Sequence, residues 1–121
     1  MKIAVTYGDG LVFQHFGHTP AFKIYEIQND RVAEAFVAET NGTGHGALAG
    51  FLAEFGVDTL ICGGIGGGAR NALGAAGITV YGGVHGDADD AVTDFLAGEL
   101  NWNPCASCTH HAEGHSCGQN C

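Results

Sequence analysis

The chain has 121 residues, 45% of them hydrophobic and only two of them proline, so its composition predicts one globular domain with a single core. Thirteen acidic residues against four Lys and Arg give a formal net charge of −9. This balance argues against a nucleic-acid partner, because that kind of binding depends on basic side chains. It is compatible with metals, cationic ligands or basic protein partners.

The N-terminus and the cysteine distribution predict a cytoplasmic protein. The opening sequence MKIAVTYG is typical of a first strand. It lacks the long apolar core and the cleavage site of a signal peptide, which favours a cytoplasmic location. No apolar run approaches the length that spans a membrane, so we expect no membrane partner. Four of the five cysteines lie in the last seventeen residues, which is not the spread of a disulfide framework.

Hydrophobic patterning predicts five strands and three helices. The strands are expected at residues 2–7, 21–28, 31–38, 57–62 and 78–81, and the helices at residues 47–55, 69–76 and 87–97, with Asp87 as the N-cap of the last helix. The strand at residues 57–62 is short, apolar and β-branched, which predicts burial on both faces of the sheet. The second and third strands flank a turn at Asn29 and Asp30, which predicts a hairpin. The element order suggests a ribonuclease-H-like three-layer α/β fold. Its five-stranded mixed sheet would have the order 3-2-1-4-5, with strand 2 antiparallel.

A run of glycines, GGIGGG at residues 63–68 and here called the glycine loop, connects the fourth strand to the second helix. Its glycines are Gly63, Gly64, Gly66, Gly67 and Gly68. Glycine leaves the backbone N–H groups uncovered, and the positive end of the following helix dipole faces the same space, so the loop favours an anion. A tight connection is the alternative, because the loop has neither the GxGxxG spacing nor the GK[ST] of a P-loop.

In the predicted sheet the first, third, fourth and fifth strands are parallel. The loops that follow residues 7, 38, 62 and 81 therefore line one edge, here called the rim. The rim would carry every histidine of the folded domain and its single cysteine: His15, His18, His45, His85 and Cys62. Imidazole and thiolate bind iron, zinc and copper, and iron–sulfur clusters prefer thiolate. Their convergence predicts metal or cluster binding, although each residue alone is also typical of a solvated loop or, for Cys62, of a core position.

A metal-dependent phosphoesterase on the same fold is the enzymatic alternative. Such enzymes need several carboxylates to hold two divalent ions. The first predicted strand has no acidic residue, the fourth ends in Cys62, and Asp9 has no obvious partner except Asp87. The sequence therefore favours a protein that is not an enzyme.

From Asn101 the sequence changes character, so we divide the chain into a domain at residues 1–100 and a tail at residues 101–121. Seven of the 21 tail residues are Cys or His, and Cys105 and Cys108 have the CxxC spacing of a metal knuckle. The set is Cys105, Cys108, His110, His111, His115, Cys117 and Cys121. The tail could form a folded zinc or iron–sulfur site, or be flexible without metal and collect zinc or iron to pass on. A disordered tail with incidental cysteines is the third interpretation.

Two motifs carry a family resemblance. HFGHTPAFKIYEI at residues 15–27 and ICGGIGGGARNALGAAGITVYGG at residues 61–83 resemble the dinitrogenase iron–molybdenum cofactor biosynthesis family. That family includes NifX, the C-terminal domain of NifB and the core domain of NafY. The resemblance covers about residues 1–97. It implies a ribonuclease-H-like fold, no catalytic activity, and binding or carriage of the iron–molybdenum cofactor or its iron–sulfur precursors between donor and acceptor proteins.

Carried over by residue, the resemblance implies that His15 of the HFG motif is the first cluster ligand, helped by Cys62 and by His45 or His85. The glycine loop would be the glycine turn of the family, which often reads GPRA where this chain has GGAR. The family requires neither Cys62 nor the tail. We therefore expect a non-enzymatic carrier of an iron–sulfur or iron–molybdenum cluster. The alternative is a metal- or redox-responsive interaction module that uses the tail.

Overall fold

The computed structural model describes residues 1–40 and 47–102, and these form six strands, three α-helices and one 3₁₀ turn. The strands are β1 (Lys2–Gly8), β2 (Leu11–Val12), β3 (Ala21–Gln28), β4 (Arg31–Glu39), β5 (Thr59–Ile61) and β6 (Thr79–Tyr81). The helices are α1 (Leu48–Glu54), α2 (Gly67–Ala75) and α3 (Ala88–Leu96), and the 3₁₀ turn is Phe16–His18.

The strands form one mixed sheet of order β4-β3-β1-β5-β6, with β2 paired to the end of β1. Strand β3 is antiparallel to both β1 and β4, whereas β5 is parallel to β1 and to β6. The order predicted for five strands and the single antiparallel orientation are thus confirmed. The protein has an α/β fold with a mixed sheet and three helices.

The prediction of five strands was wrong, because the segment after β1 folds back to form β2. Asp9 and Gly10 both have positive φ, 54° and 83°, which makes the two-residue turn that suits a hairpin. The new strand pairs Tyr7 with Val12. An Asp-Gly pair beside apolar residues predicts a hairpin, so the interpretation of the segment after residue 7 as a loop alone was wrong.

The core consists of two apolar clusters, one on each face of the sheet. The cluster under α1 and α2 contains Leu48, Leu52 and Leu73 from the helices, together with Phe22 and Leu60 from the sheet. The cluster under α3 contains Val84, Ala88 and Val92 with Ile3, Val5 and Ile61. Helices therefore cover both faces, and β5 is buried throughout, as its short β-branched sequence predicted.

Helix α3 has defined caps at both ends. The Asp87 side chain accepts a hydrogen bond from the Asp90 N–H at 3.0 Å, which confirms the predicted N-cap. At the other end Gly98 has a φ of 76°, and the Glu99 N–H donates to the Asp94 carbonyl at 2.8 Å. This arrangement ends the helix and turns the chain back over the sheet.

No helix among residues 1–40 and 47–102 is long and apolar enough to cross a membrane.

A polar cluster joins the start of α3 to the sheet. Asp89 Oδ1 accepts hydrogen bonds from Lys23 Nζ at 2.8 Å and from the Tyr25 hydroxyl at 2.6 Å. The Lys23 bond, followed by the Tyr25 bond, lowers the pKa of the Asp89 carboxyl. Burial, followed by the Asp89 bond, raises the pKa of Tyr25. Asp89 is largely exposed, so this cluster fixes the orientation of α3 more than it stabilises the fold.

We expect Asp89→Asn to lower the free energy of unfolding by no more than about 1 kcal/mol at neutral pH, as for other exposed ion pairs. A carboxyl with a depressed pKa in the folded state stabilises the protein above its unfolded pKa of about 3.9 and loses this contribution as the pH falls. The gap between wild type and variant in urea unfolding should therefore close in acid. A gap of the same size at neutral pH and in strong acid would contradict this role for Asp89.

Candidate functional site

The rim joins the two sequence motifs through backbone hydrogen bonds. The Phe16 N–H donates to the Gly64 carbonyl at 3.0 Å, and the Gly64 N–H donates to the Gln14 carbonyl at 2.7 Å. His15 and Gly64 thereby form a parallel bridge beyond the ends of β1 and β5. The HFG motif and the glycine loop are therefore one unit of structure.

Gly63 is required by the close approach of these two segments. A Cβ at position 63 would lie 2.7 Å from Gln14 Cα and 2.8 Å from Gln14 Oε1, which is closer than real Cβ contacts. Backbone cannot move aside as the end of a flexible side chain can. Gly63 is thus a packing glycine, which explains part of the glycine loop without a ligand.

Gln14 holds three rim segments together, and no motif or periodicity predicts this role. Its Nε2 donates to the Val12 carbonyl at 2.9 Å and to the Val84 carbonyl at 3.1 Å. Its own carbonyl accepts the Gly64 N–H described above. Gln14 therefore ties the β2 segment, the glycine loop and the loop after β6 into one support for the neighbouring His15.

His15 and His18 are the predicted ligands that the structure brings together. Both side chains are exposed, and their rings lie 6.5 Å apart between centroids, at an interplanar angle of 79°. Between them Phe16 is buried, and its ring packs 5.9 Å from that of Phe22. The buried phenylalanine anchors the 3₁₀ turn, so the two imidazoles are held at the surface of the rim.

Cys62 and His85 lie at the rim but not beside this pair. Cys62 is fully buried in the apolar cluster under α1 and α2. His85 is exposed on the α3 side. Within residues 1–40 and 47–102, no three His, Cys, Asp or Glu side chains form a group that could hold a metal ion. His45 and the seven Cys and His residues of the tail lie outside the described residues.

His85 borders a groove of about 290 Å³ between the loop after β6, α3 and the start of the tail. The groove is acidic, because Asp87, Asp90 and Asp94 line it. Asn101, the first residue of the tail, also lines the groove. Trp102 follows, with its ring 4.8 Å from that of Tyr81, the last residue of β6. Asn101 and Trp102, the first two residues of the tail, therefore lie beside the rim loop that carries His85.

The remaining glycines of the loop form an open surface at the start of α2. A Cβ on Gly66, Gly67 or Gly68 would meet no atom within 4 Å. Helix α2 begins inside the glycine loop, two residues before the predicted start. Its N-cap is Gly66, which has no side chain that could cap the first N–H groups. The first N–H groups of a helix have no partner within that helix, so this surface offers donors to a ligand.

The fold and rim define a class of small α/β domains in which an HFG turn and a glycine loop are joined at the carboxyl edge of a mixed sheet. The family model described as "Dinitrogenase iron-molybdenum cofactor" matches residues 1–98. The chain belongs to this family, which confirms the resemblance seen in the sequence. No curated protein matches the chain.

Solved structures with the same fold include three proteins that are 27–32% identical to this chain. PH0822 is 30% identical with a TM-score of 0.81, over 84% of this chain and 94% of that one. The apo form of the orange protein from Desulfovibrio gigas is 32% identical with a TM-score of 0.73, over 85% and 92%. A NifB-like protein from Thermotoga, of the DUF35 family, is 27% identical with a TM-score of 0.66, over 84% and 91%.

We expect Gly63→Ala to destabilise the protein by roughly 1–3 kcal/mol, because the added methyl group has no space beside Gln14. Gly68→Ala is the matched control: it adds the same group in open space on a helix and should be neutral or stabilising by up to about 1 kcal/mol. Chemical denaturation of both variants measures the difference. Equal stabilities would show that the Gly63–Gln14 approach does not constrain the rim.

Proposed function

We propose that this protein is a non-enzymatic carrier that binds an iron–sulfur or iron–molybdenum cluster at the rim, with His15 as first ligand. The observation that supports this most is the bridge between His15 and Gly64, which sets an exposed imidazole beside the open glycine surface. Family membership supports it independently. The strand order supports the ribonuclease-H-like classification, which we include in the proposal.

The chemistry proposed is ligand exchange. The paired imidazoles of His15 and His18 are exposed and occupy only part of a coordination sphere, so donor and acceptor proteins can supply the remaining ligands during transfer. Most metalloclusters are anionic, and the open N–H groups at the start of α2 favour negative charge. Arg70, one of the four basic residues in the chain, lies in the first turn of that helix.

The helper ligands occupy different positions in this proposal. His85 can reach a ligand on the α3 side of the rim without rearrangement, because it is already exposed. Cys62 is fully buried, so its participation requires the glycine loop to move. His45 completes the proposed set from outside the described residues. The protein would remain in the cytoplasm, with neither nucleic acid nor membrane as a partner.

Anaerobic reconstitution with ferrous iron and sulfide tests the rim. The chain should acquire cluster absorption, His15→Ala should lose most of it, and a chain ending at Trp102 should keep it while preserving the Trp102–Tyr81 contact. Gln28→Ala, at an exposed position at the end of β3 away from the rim, is the control and should keep the absorption, whereas His85→Ala removes a helper ligand and should lose only part of it. Absorption that survives His15→Ala but is lost in the truncated chain would move the cluster to the tail.

A second candidate function is a metal- or redox-responsive module formed by the tail, with the domain boundary between residues 100 and 101. The position of Trp102 against Tyr81 favours it, because Cys105 is only three residues further on and thus within about 10 Å of Trp102. A metal held by Cys105 would therefore be within reach of the acidic groove, whose lining includes Asn101 and His85. Zinc or iron is the metal that the Cys and His residues would bind.

Cobalt(II) titration tests the tail, because thiolate coordination gives an intense charge-transfer band. We expect this band, together with a change in the fluorescence of the single tryptophan, in the reduced full chain. Cys105→Ser with Cys108→Ser should remove the band and leave the folded domain intact. A band of full strength in that double variant, or no band in the wild type, would contradict a thiolate site in the tail.

A further inference from the structure

Gln14 contacts the peptide bonds that lead into two of the proposed ligands. Its Nε2 donates to the Val84 carbonyl at 3.1 Å, and Val84 immediately precedes His85. The main-chain carbonyl of Gln14, which immediately precedes His15, accepts the Gly64 N–H at 2.7 Å. Gln14 and Val84 are 70 residues apart in the sequence. One residue therefore holds the chain directly before two imidazoles that lie on different loops.

The Gln14 side chain crosses the glycine loop in a fixed orientation. Strand β5 lies between β1 and β6, so the glycine loop separates the HFG motif from the loop after β6. Gly63 is the crossing point, because a Cβ there would lie 2.8 Å from Gln14 Cδ. Nε2 donates to two carbonyls, those of Val12 and Val84. A reversed amide would set its oxygen against both of these acceptors, so the orientation is determined.

The loop that carries His85 has a buried anchor directly before the imidazole. Val84 is only 3% exposed, and its N–H donates to the Cys62 carbonyl at 3.0 Å. His85 itself is exposed. The Val84 carbonyl is the group that accepts the Gln14 bond, so this bond joins the anchored base of His85 to the HFG motif.

We infer, on the basis of the proposed function, that Gln14 is a positioning residue that keeps His15 and His85 at a fixed separation, so that both imidazoles bind one metallocluster across the glycine loop. All three residues are exposed, which leaves their surface open to a bulky ligand. Within residues 1–40 and 47–102 no three His, Cys, Asp or Glu side chains could hold a single ion. Separated imidazoles instead suit a cluster, which has several metal atoms that can each take a ligand.

Fixed spacing strengthens binding because the ligands are already ordered before the cluster arrives. Groups that orient a metal ligand without touching the metal typically change the affinity by about 10–100-fold when they are removed. Most such changes in affinity act on the rate of release. Loss of the Gln14 amide should therefore shorten the time for which the cluster stays bound.

Release to a ferrous-iron chelator measures this effect, after anaerobic assembly of the cluster on the full chain from ferrous iron and sulfide. Only the absorption that His15→Ala removes is followed, which excludes cluster on the tail. Gln14→Met keeps the chain length without the amide and should release at least about tenfold faster. Gln14→Asn keeps the amide but is too short to reach the Val84 carbonyl, so it should also release faster. Gln28→Met, the same change at an exposed residue away from the rim, is the matched control and should stay within about twofold.

A double-variant cycle distinguishes positioning from a general loss of stability. His85→Ala should speed release in the wild type but add less than about twofold in the Gln14→Met background, because both changes remove the same contact to the cluster. Effects that multiply would show that Gln14 acts through overall stability, and would overturn the inference. Wild-type release rates in both Gln14→Met and Gln14→Asn would overturn it too. Urea unfolding confirms that each variant is folded.

The chain without a cluster gives a second readout. In the ¹⁵N-labelled full chain, the side-chain amide protons of Gln14 should exchange with solvent at least about threefold more slowly than those of Gln28, because their hydrogen bonds must open first. Equal exchange rates would overturn the inference and leave the proposed function standing. Slow exchange in a chain that takes up no cluster would refute the proposed function, and the inference with it.

Discussion

The rim depends on the junction between the HFG motif and the glycine loop. Strands β1 and β5 are parallel neighbours, so the segments that follow them leave the same edge side by side, and their backbone groups must find partners. The Phe16 and Gly64 N–H groups find those partners across the junction. This is possible because position 63 has no Cβ. The exposure of His15 follows from this contact and from the burial of Phe16.

The glycines of the glycine loop are present for two different physical reasons. Gly63 is needed for packing against Gln14, whereas Gly66, Gly67 and Gly68 have open space around them. At these three positions the absence of a side chain leaves the backbone N–H groups accessible. A bulky anionic cluster could approach these groups more closely than it could if side chains covered them. Under the proposed function, the anion would therefore contact the second half of the loop.

Hydrophobic patterning was sufficient to predict the order of the principal strands and the placement of the helices on both faces. The N-cap of α3 could be predicted from Asp87 and the residues next to it in the sequence. The role of Gln14 could not be predicted, since it depends on a hydrogen bond to Val84, 70 residues away. The loops after β1, β5 and β6 lie at one edge as predicted, whereas the loop with His45 is outside the described residues. Periodicity does not predict on which face of the sheet the side chains of each loop lie. His85 therefore lies by the acidic groove on α3, while His15 and His18 lie together by the glycine loop.

Paramagnetic broadening in the NMR spectrum of the ¹⁵N-labelled full chain tests the central claim most directly, after assembly of a cluster from ferrous iron and sulfide. The account predicts that amide signals of residues 14–18 and 63–68 disappear while those of β4 and the end of α3 remain. Broadening confined to residues 103–121, or a spectrum in which the residues 14–18 and 63–68 are unaffected, would contradict cluster binding at the rim.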